Sequence, residues 1–389
     1  MWDWGAYFNL YRTLMQQMVE GANWVQWLFL SIENDDYNLS PVVGLAPFYA
    51  ACGASRFGYI AGITFTYMLP AIFLLITISI LGRRGSSDRK IGLLTFTQIY
   101  LFVFMNPSFW APTLRGYPDV VGLLPLGIAT LIAVHWPRSM RKPLLYGLLF
   151  GASLWFALMF RRWYAYSIIG IGLGAFVAFS ITVVSEREKR NSVAQRQLYF
   201  IIAAAIAAGS LAFFLQHNML IRALTMPYGE MHAAYQMPFE IQAVALIQRM
   251  GYPVFAIFVV GTVLGACERN RTIIVCSTAS ILTYVLFSRT QAPGYQHILP
   301  IFFWATPACV YVLMRVNDGI GRYGQGVTTA VVAIFAFVGF ASAFSPHAAE
   351  KIEPFERVLP QVKAFPLQLS IYPQLMSMIG ELKNIVKPG

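Results

Sequence analysis

Four aspartates stand where polar sequence gives way to apolar runs. Asp3 lies within Trp2-Asp3-Trp4-Gly5. Asp35 and Asp36 belong to the polar stretch Glu33-Asn34-Asp35-Asp36-Tyr37-Asn38. Asp119 closes Arg115-Gly116-Tyr117-Pro118-Asp119, just ahead of a long uncharged run. A carboxylate at such a boundary can take a proton from an attacking hydroxyl when burial tunes it. A second set is basic. Arg161-Arg162-Trp163-Tyr164 sits between two apolar runs with almost no loop, and Arg289-Thr290-Gln291 is followed closely by Gly294-Tyr295-Gln296-His297. Guanidinium groups bind phosphate oxygens in a fork, and His297 can meet a phosphate or a hydroxyl. Tyr117, Tyr164 and Gln291 stand beside these charges as candidate ligands for a sugar or an acceptor. Carboxylates activating an acceptor, with Arg161, Arg162, Arg289 and His297 holding a leaving phosphate where negative charge develops, would carry out transfer from a phosphate-linked donor.

Each group also has a plainer account. Asp35-Asp36-Tyr37-Asn38 fits a solvated turn with a capping side chain. The arginines fit side chains snorkelling to lipid headgroups, and His297 fits a satisfied histidine at the membrane interface.

The elements that position these residues follow from composition. Of 389 residues, 57% are hydrophobic and only 12% charged, with a mean hydropathy of +0.58. Soluble domains carry about 25% charged residues. Uncharged runs occupy roughly 58–82, 91–114, 120–137, 143–160, 163–185, 198–221, 251–267, 272–288, 290–314 and 323–346. Each is near the ~18 to 20 residues a spanning helix needs. The expectation is an all-α, polytopic transmembrane bundle of about ten helices over 58–346. A first external loop over 1–57 precedes it, with amphipathic pieces at Tyr7–Val19 and Trp24–Ile32 lying along the membrane. Phe239–Met250 reads as a short surface helix. An external tail over 347–389 holds a helical stretch at Leu369–Val386.

The net charge of +11 sits mostly in short loops, where it reports orientation. The loops around Arg83–Lys90, Arg138–Lys142, Arg187–Arg196, Arg269–Arg271 and Arg315–Arg322 hold fifteen basic residues. The alternate loops hold six: Arg115, Arg161, Arg162, Arg222, Arg249 and Arg289. The first set is therefore expected in the cytoplasm, with the candidate site on the outer side. No basic stripe interleaved with aromatics stands apart from these loops, which argues against a nucleic-acid partner. The four cysteines lack zinc spacing and the five histidines form no HExxH pattern. A divalent metal stays open as a cofactor.

These stretches, with Tyr7-Phe8 and Tyr37-Asn38-Leu39-Ser40-Pro41, resemble the GT-C superfamily of membrane glycosyltransferases, in its bacterial members. The resemblance is one of pattern and order across most of the membrane part. It implies a GT-C type bundle in the bacterial inner membrane with its site facing the periplasm. It implies inverting transfer from a polyprenyl-phosphate sugar to a cell-envelope glycan or lipid acceptor. By that resemblance Asp3 is the first choice of base, Asp35 and Asp36 the next, and Asp119 a second acidic residue positioning the acceptor or a divalent ion. It also implies a spanning helix before the first loop and a periplasmic domain after the last span, so upstream and downstream segments are expected. Two other classes compete. A transporter or flippase for a lipid-linked glycan would place charge near the bilayer midplane, whereas these charges gather at the ends of the spans. A glycan polymerase of O-antigen type would use a diphosphate-linked oligosaccharide.

Overall fold

The computed structural model describes residues 3–344 apart from 22, 83–91, 140, 186–189, 228–229, 231–232 and 295. The expected tail over 347–389 and its helix at Leu369–Val386 lie outside the described residues. Every described regular element is helical. Four helices precede the membrane part: α1 (Asp3–Val19), α2 (Trp24–Asn34), α3 (Ser40–Val43) and α4 (Ala46–Cys52). Then come α5 (Arg56–Leu81), with a π-helical turn at Thr64–Met68 just before Pro70, α6 (Leu93–Phe104), α7 (Pro107–Arg115), α8 (Leu123–Ser139) and α9 (Pro143–Phe160). They are followed by α10 (Ala165–Ser185), α11 (Arg190–Leu215), α12 (His217–Thr225), α13 (Phe239–Met250), α14 (Tyr252–Cys267), α15 (Arg271–Ser288), α16 (Leu299–Gly319) and α17 (Arg322–Phe344).

Eight of the described helices are long and apolar enough to cross a membrane, or nine if α13 and α14, bent by 100°, count as one. The chain is an all-α polytopic membrane protein. Ten runs were expected, and the difference has two sources. The run over 91–114 is cut at Asn106-Pro107. The Asn106 side chain accepts from Ser108 N at 3.0 Å and starts a new helix, α7, with proline in its first turn. The run over 251–267 forms only the 16 residues of α14.

Glycine pairs fix how the long helices meet. Added Cβ atoms at Gly147 and Gly151 of α9 would come 2.4 and 2.1 Å from the carbonyl oxygens of Phe200 and Ala204 on α11. Added Cβ atoms at Gly170 and Gly174 of α10 would likewise come within 3 Å of the carbonyls of Ala279 and Val275 on α15, at 2.8 and 2.6 Å. Such small-residue faces let backbones touch where lipid supplies no hydrophobic drive for association. The pairings also give direction. Along α9 and α11 the numbers rise together, so they run parallel, whereas along α10 and α15 they run oppositely. That is the alternation expected of successive crossings.

The two ends of the bundle therefore differ. Near one end Asn270 Nδ2 donates to Gly82 O at 2.6 Å, Trp136 Nε1 donates to Arg141 O at 3.1 Å, and Arg315 pairs with Glu268. Arg141, Arg269, Arg271 and Arg315 lie there. The first four helices, the turn at 115–119, the turn at 161–164 and the segment 289–298 lie at the other end.

Candidate active site

The site is assembled at the end poor in basic loops. Gly116 takes a left-handed conformation (φ 81°) that stops α7. The chain then turns through Tyr117 into a 3₁₀ turn, Pro118–Gly122, that carries Asp119. Tyr59 reaches over from α5 to donate its hydroxyl to Gly116 O at 3.1 Å. At the end of α9, Arg161 adopts an extended conformation and a second 3₁₀ turn, Arg162–Tyr164, follows. The two turns lock together. Asp119 Oδ1 accepts from Arg161 Nε at 2.9 Å and from Trp163 Nε1 at 2.7 Å, while the Tyr164 hydroxyl donates to the Asp119 carbonyl. Asp119 is 0% exposed and Arg161 6%. Asp119 Oδ2 is buried with no hydrogen-bond partner among the described residues. Gly122 permits the contact, since a Cβ there would come 2.4 Å from the Tyr164 ring.

Above this pair sits an aromatic layer. The Arg161 guanidinium lies 5.6 Å from the Tyr7 ring centre and 5.0 Å from that of Tyr37, a cation–π arrangement. Tyr7 comes from α1 and is fully buried, whereas Tyr37 is 41% exposed. Burial pushes the Tyr7 hydroxyl up to about 12, with Arg161 beside it pulling the other way, so Tyr7 stays protonated at ordinary pH. Tyr37 is held by its neighbours. Asn38 is buried and donates to Met159 O at 2.5 Å, at the end of α9, while its Oδ1 accepts from Ser40 N at 3.0 Å. On the other side, Asp36 pairs with Arg162 and lies 3.9 Å from Arg222 Nη1 of α12; its side chain is 27% exposed.

A third wall comes from the segment before α16. The His297 ring lies 5.2 Å from that of Trp163 and 4.8 Å from that of Phe287. Its Nδ1 accepts from Gly294 N at 3.1 Å, which leaves the proton on Nε2 in the neutral ring. Gln291 Nε2 lies 3.5 Å from the same Nδ1.

The sequence candidates thus separate. Asp36, Asp119, Arg161, Arg162, Tyr164, Gln291 and His297 are joined to one another directly or through Trp163. Tyr164 is buried with its hydroxyl committed to the Asp119 backbone, so it holds the turn rather than facing a sugar or acceptor. Asp35 is exposed, and its backbone N–H, donating to Ser31 O at 2.9 Å, ends α2. Tyr117 is half-buried at the turn before Asp119. Arg289 is exposed at the end of α15. Asp3 begins α1 four residues before Tyr7; its side chain lies outside the described residues. Among the described residues no three His, Cys, Asp or Glu side chains gather as a metal site. Sequence reasoning gave no role to Tyr7, Tyr37 or Arg222. Arg222 carried a usable signal: it is a cation in an outer segment, against the charge trend, as Arg161 and Arg162 are.

Two neighbouring ionic groups therefore form, a buried Asp119–Arg161 pair and a part-exposed cluster of Asp36, Arg162 and Arg222, with Tyr37 over Arg161. No family model, no curated protein and no solved structure matches this chain.

Proposed function

We propose that the chain is a membrane glycosyltransferase of GT-C type, taking a sugar from a polyprenyl-phosphate carrier at the outer face of a bacterial inner membrane and passing it to a cell-envelope acceptor. The observation that carries this reading is the convergence of Asp36, Arg162 and Arg222 in a half-exposed cluster beside Tyr37. A sugar phosphate needs cations for its phosphate, a carboxylate for the acceptor and a flat apolar surface for the ring. In the resting protein Asp36 is held by Arg162 and Arg222. An arriving phosphate competes for both guanidinium groups and releases the carboxylate. The acceptor oxygen then attacks the anomeric carbon and the carbon–oxygen bond to the phosphate breaks. The bonding electrons stay on the phosphate, facing Arg162 and Arg222, and Asp36 takes the acceptor proton. Attack opposite the leaving group inverts the anomeric centre. The buried Asp119–Arg161 pair positions the two turns, and Asp3, close to Tyr7 in sequence, is a second carboxylate to test as base.

Purified protein in nanodiscs is supplied with a polyprenyl-phosphate hexose, and sugar transferred and polyprenyl phosphate released are both measured. Asp36→Asn is expected to lower turnover by about 10²- to 10⁴-fold, the usual weight of a general base, with its melting temperature unchanged. Asp3→Asn, run in parallel, decides whether the base is shared. Consumption of a diphosphate-linked oligosaccharide instead would identify a polymerase. Movement of the lipid between leaflets without bond cleavage would identify a transporter.

A further inference from the structure

Two short helices at the site end, α12 and α13, each expose an apolar side. In α12 the polar side chains Asn218, Arg222 and Thr225 share one face. Asn218 Nδ2 donates to Asn34 Oδ1 at 2.8 Å and to Glu33 Oε1 at 3.2 Å, and Arg222 reaches Asp36. Ile221 and Leu224 stand to the side of that face and are exposed, Leu224 by 79%. In α13 one face is buried through Gln242, Leu246 and Met250, while Ile241 and Val244 are exposed. Phe239 at its start, and Tyr235 and Met237 just before it, are exposed as well. Helices with one apolar and one polar side rest in the boundary between lipid headgroups and acyl chains.

Their placement agrees with that environment. Gly251, at φ 81°, joins α13 to α14 at a bend of 100°. From Tyr252 at the site end α14 runs through the depth of the bundle, with Gly261 against the Ala308 carbonyl of α16, to Cys267 at the opposite end. A helix nearly at right angles to it lies across the end of the bundle, close to the membrane plane. In turn, α12 begins just after α11, which is long and apolar enough to cross the membrane. Ile221 and Leu224 thus follow directly on the exposed Ile206, Phe213 and Phe214 of that span. Both short helices also brace the site. Arg222 belongs to the Asp36 cluster. Tyr235 O accepts from Ala292 N at 2.9 Å, Gln242 Nε2 donates to Ser288 O at 3.2 Å, and Arg249 donates to Pro293 O, all on the segment that leads to His297.

We infer that α12 and α13 are seated in the phospholipid leaflet at the site end, with Ile221, Leu224, Ile241 and Val244 in its headgroup–acyl boundary, and that this seat holds Arg222 at Asp36 and the 288–293 segment beside the site. The inference needs neither a sugar donor nor an assigned side of the membrane. The test uses the full-length protein with Cys52→Ser and Cys267→Ser, carrying a single bimane label on Leu224→Cys, Ile241→Cys, Ile206→Cys or Asp35→Cys. It is placed in nanodiscs of phospholipid brominated near the headgroup end of the acyl chains. Quenching at positions 224 and 241 is expected to approach that at 206, in a spanning helix, and to exceed that at 35, in a polar loop, by about twofold or more. A second measurement reads what the seat does for the site. A short bifunctional thiol reagent joining Asn34→Cys to Asn218→Cys should react about fivefold more slowly when Leu224→Asp is added, and at an unchanged rate with Thr225→Asp. Quenching at 224 and 241 no greater than at 35 would overturn the lipid seat, and a dimer seen by light scattering would then give these apolar sides to a second copy of the chain. A cross-linking rate unmoved by Leu224→Asp would overturn the link between seat and site.

Discussion

The Asp119–Arg161 pair is the sharpest feature at the scale of single residues. Both partners are buried, and Asp119 Oδ1 takes two donors while Oδ2 takes none among the described residues. Removing one partner leaves an uncompensated charge in a dry site, at a cost of about 3–5 kcal/mol. Asp119→Ala and Arg161→Ala are each expected to yield little monodisperse protein by size-exclusion chromatography. The double change Asp119→Leu with Arg161→Met removes both charges and should restore the folded fraction. If the two single variants fold like the parent, the pair is not holding the turns. Asp36→Asn should behave oppositely, folding normally because its carboxylate is part-exposed. Tyr37 gives a third contrast: Tyr37→Phe keeps the ring over Arg161, whereas Tyr37→Ala is expected to raise KM about tenfold, near the ~1.4 kcal/mol that one lost ring contact represents. Each charged residue was legible in the sequence from its odd position. Their pairing was not, because 42 residues separate Arg161 from Asp119 and 126 separate Arg162 from Asp36. The packing of α8 against α9 joins the first pair, and the docking of the segment between α2 and α3 on the end of α9 joins the second.

Among the elements, hydropathy located the spanning helices well, because lipid imposes length and apolarity on each one independently. It did not register what interrupts them. Asn106-Pro107 lies inside an uncharged run, and only the capping role of asparagine and the missing N–H of proline divide it into two helices. It also did not register what joins them, since a glycine face contributes little to hydropathy. The helix α10 offers an internal comparison. Gly174 abuts the Val275 carbonyl, whereas Gly172, two residues away, has nothing within 4 Å of an added Cβ. Gly174→Ala must push α10 from α15, which costs about 1–3 kcal/mol as overpacking does. Gly172→Ala only gains helix propensity, roughly 0.8–1 kcal/mol in aqueous hosts. Thermal unfolding in detergent should therefore show a lowered midpoint for the first and an unchanged or raised one for the second. Equal midpoints would mean that the close approach of these helices contributes nothing to stability.

The molecule as a whole has a polarity that its own cysteines can report. Alternating helix directions set Arg141, Arg269, Arg271 and Arg315 at one end and the candidate site at the other, and on the proposed function the end that carries them faces the cytoplasm, as the positive-inside trend predicts. Cys52 is half-buried in α4 at the site end, and Cys267 is exposed at the opposite end, closing α14. Cys276 and Cys309 are buried inside the bundle. A membrane-impermeant maleimide added to intact spheroplasts should label Cys52 and spare Cys267, and permeabilisation should add Cys267. Cys52→Ser and Cys267→Ser assign the two signals, while Cys276 and Cys309 should react only after unfolding. The reverse order, with Cys267 reached first, would place Asp36, Arg162 and Arg222 in the cytoplasm. A cytoplasmic site would meet soluble nucleotide sugars, and the argument for a lipid-linked donor at an outer face would then lose its footing even with every contact in the cluster intact.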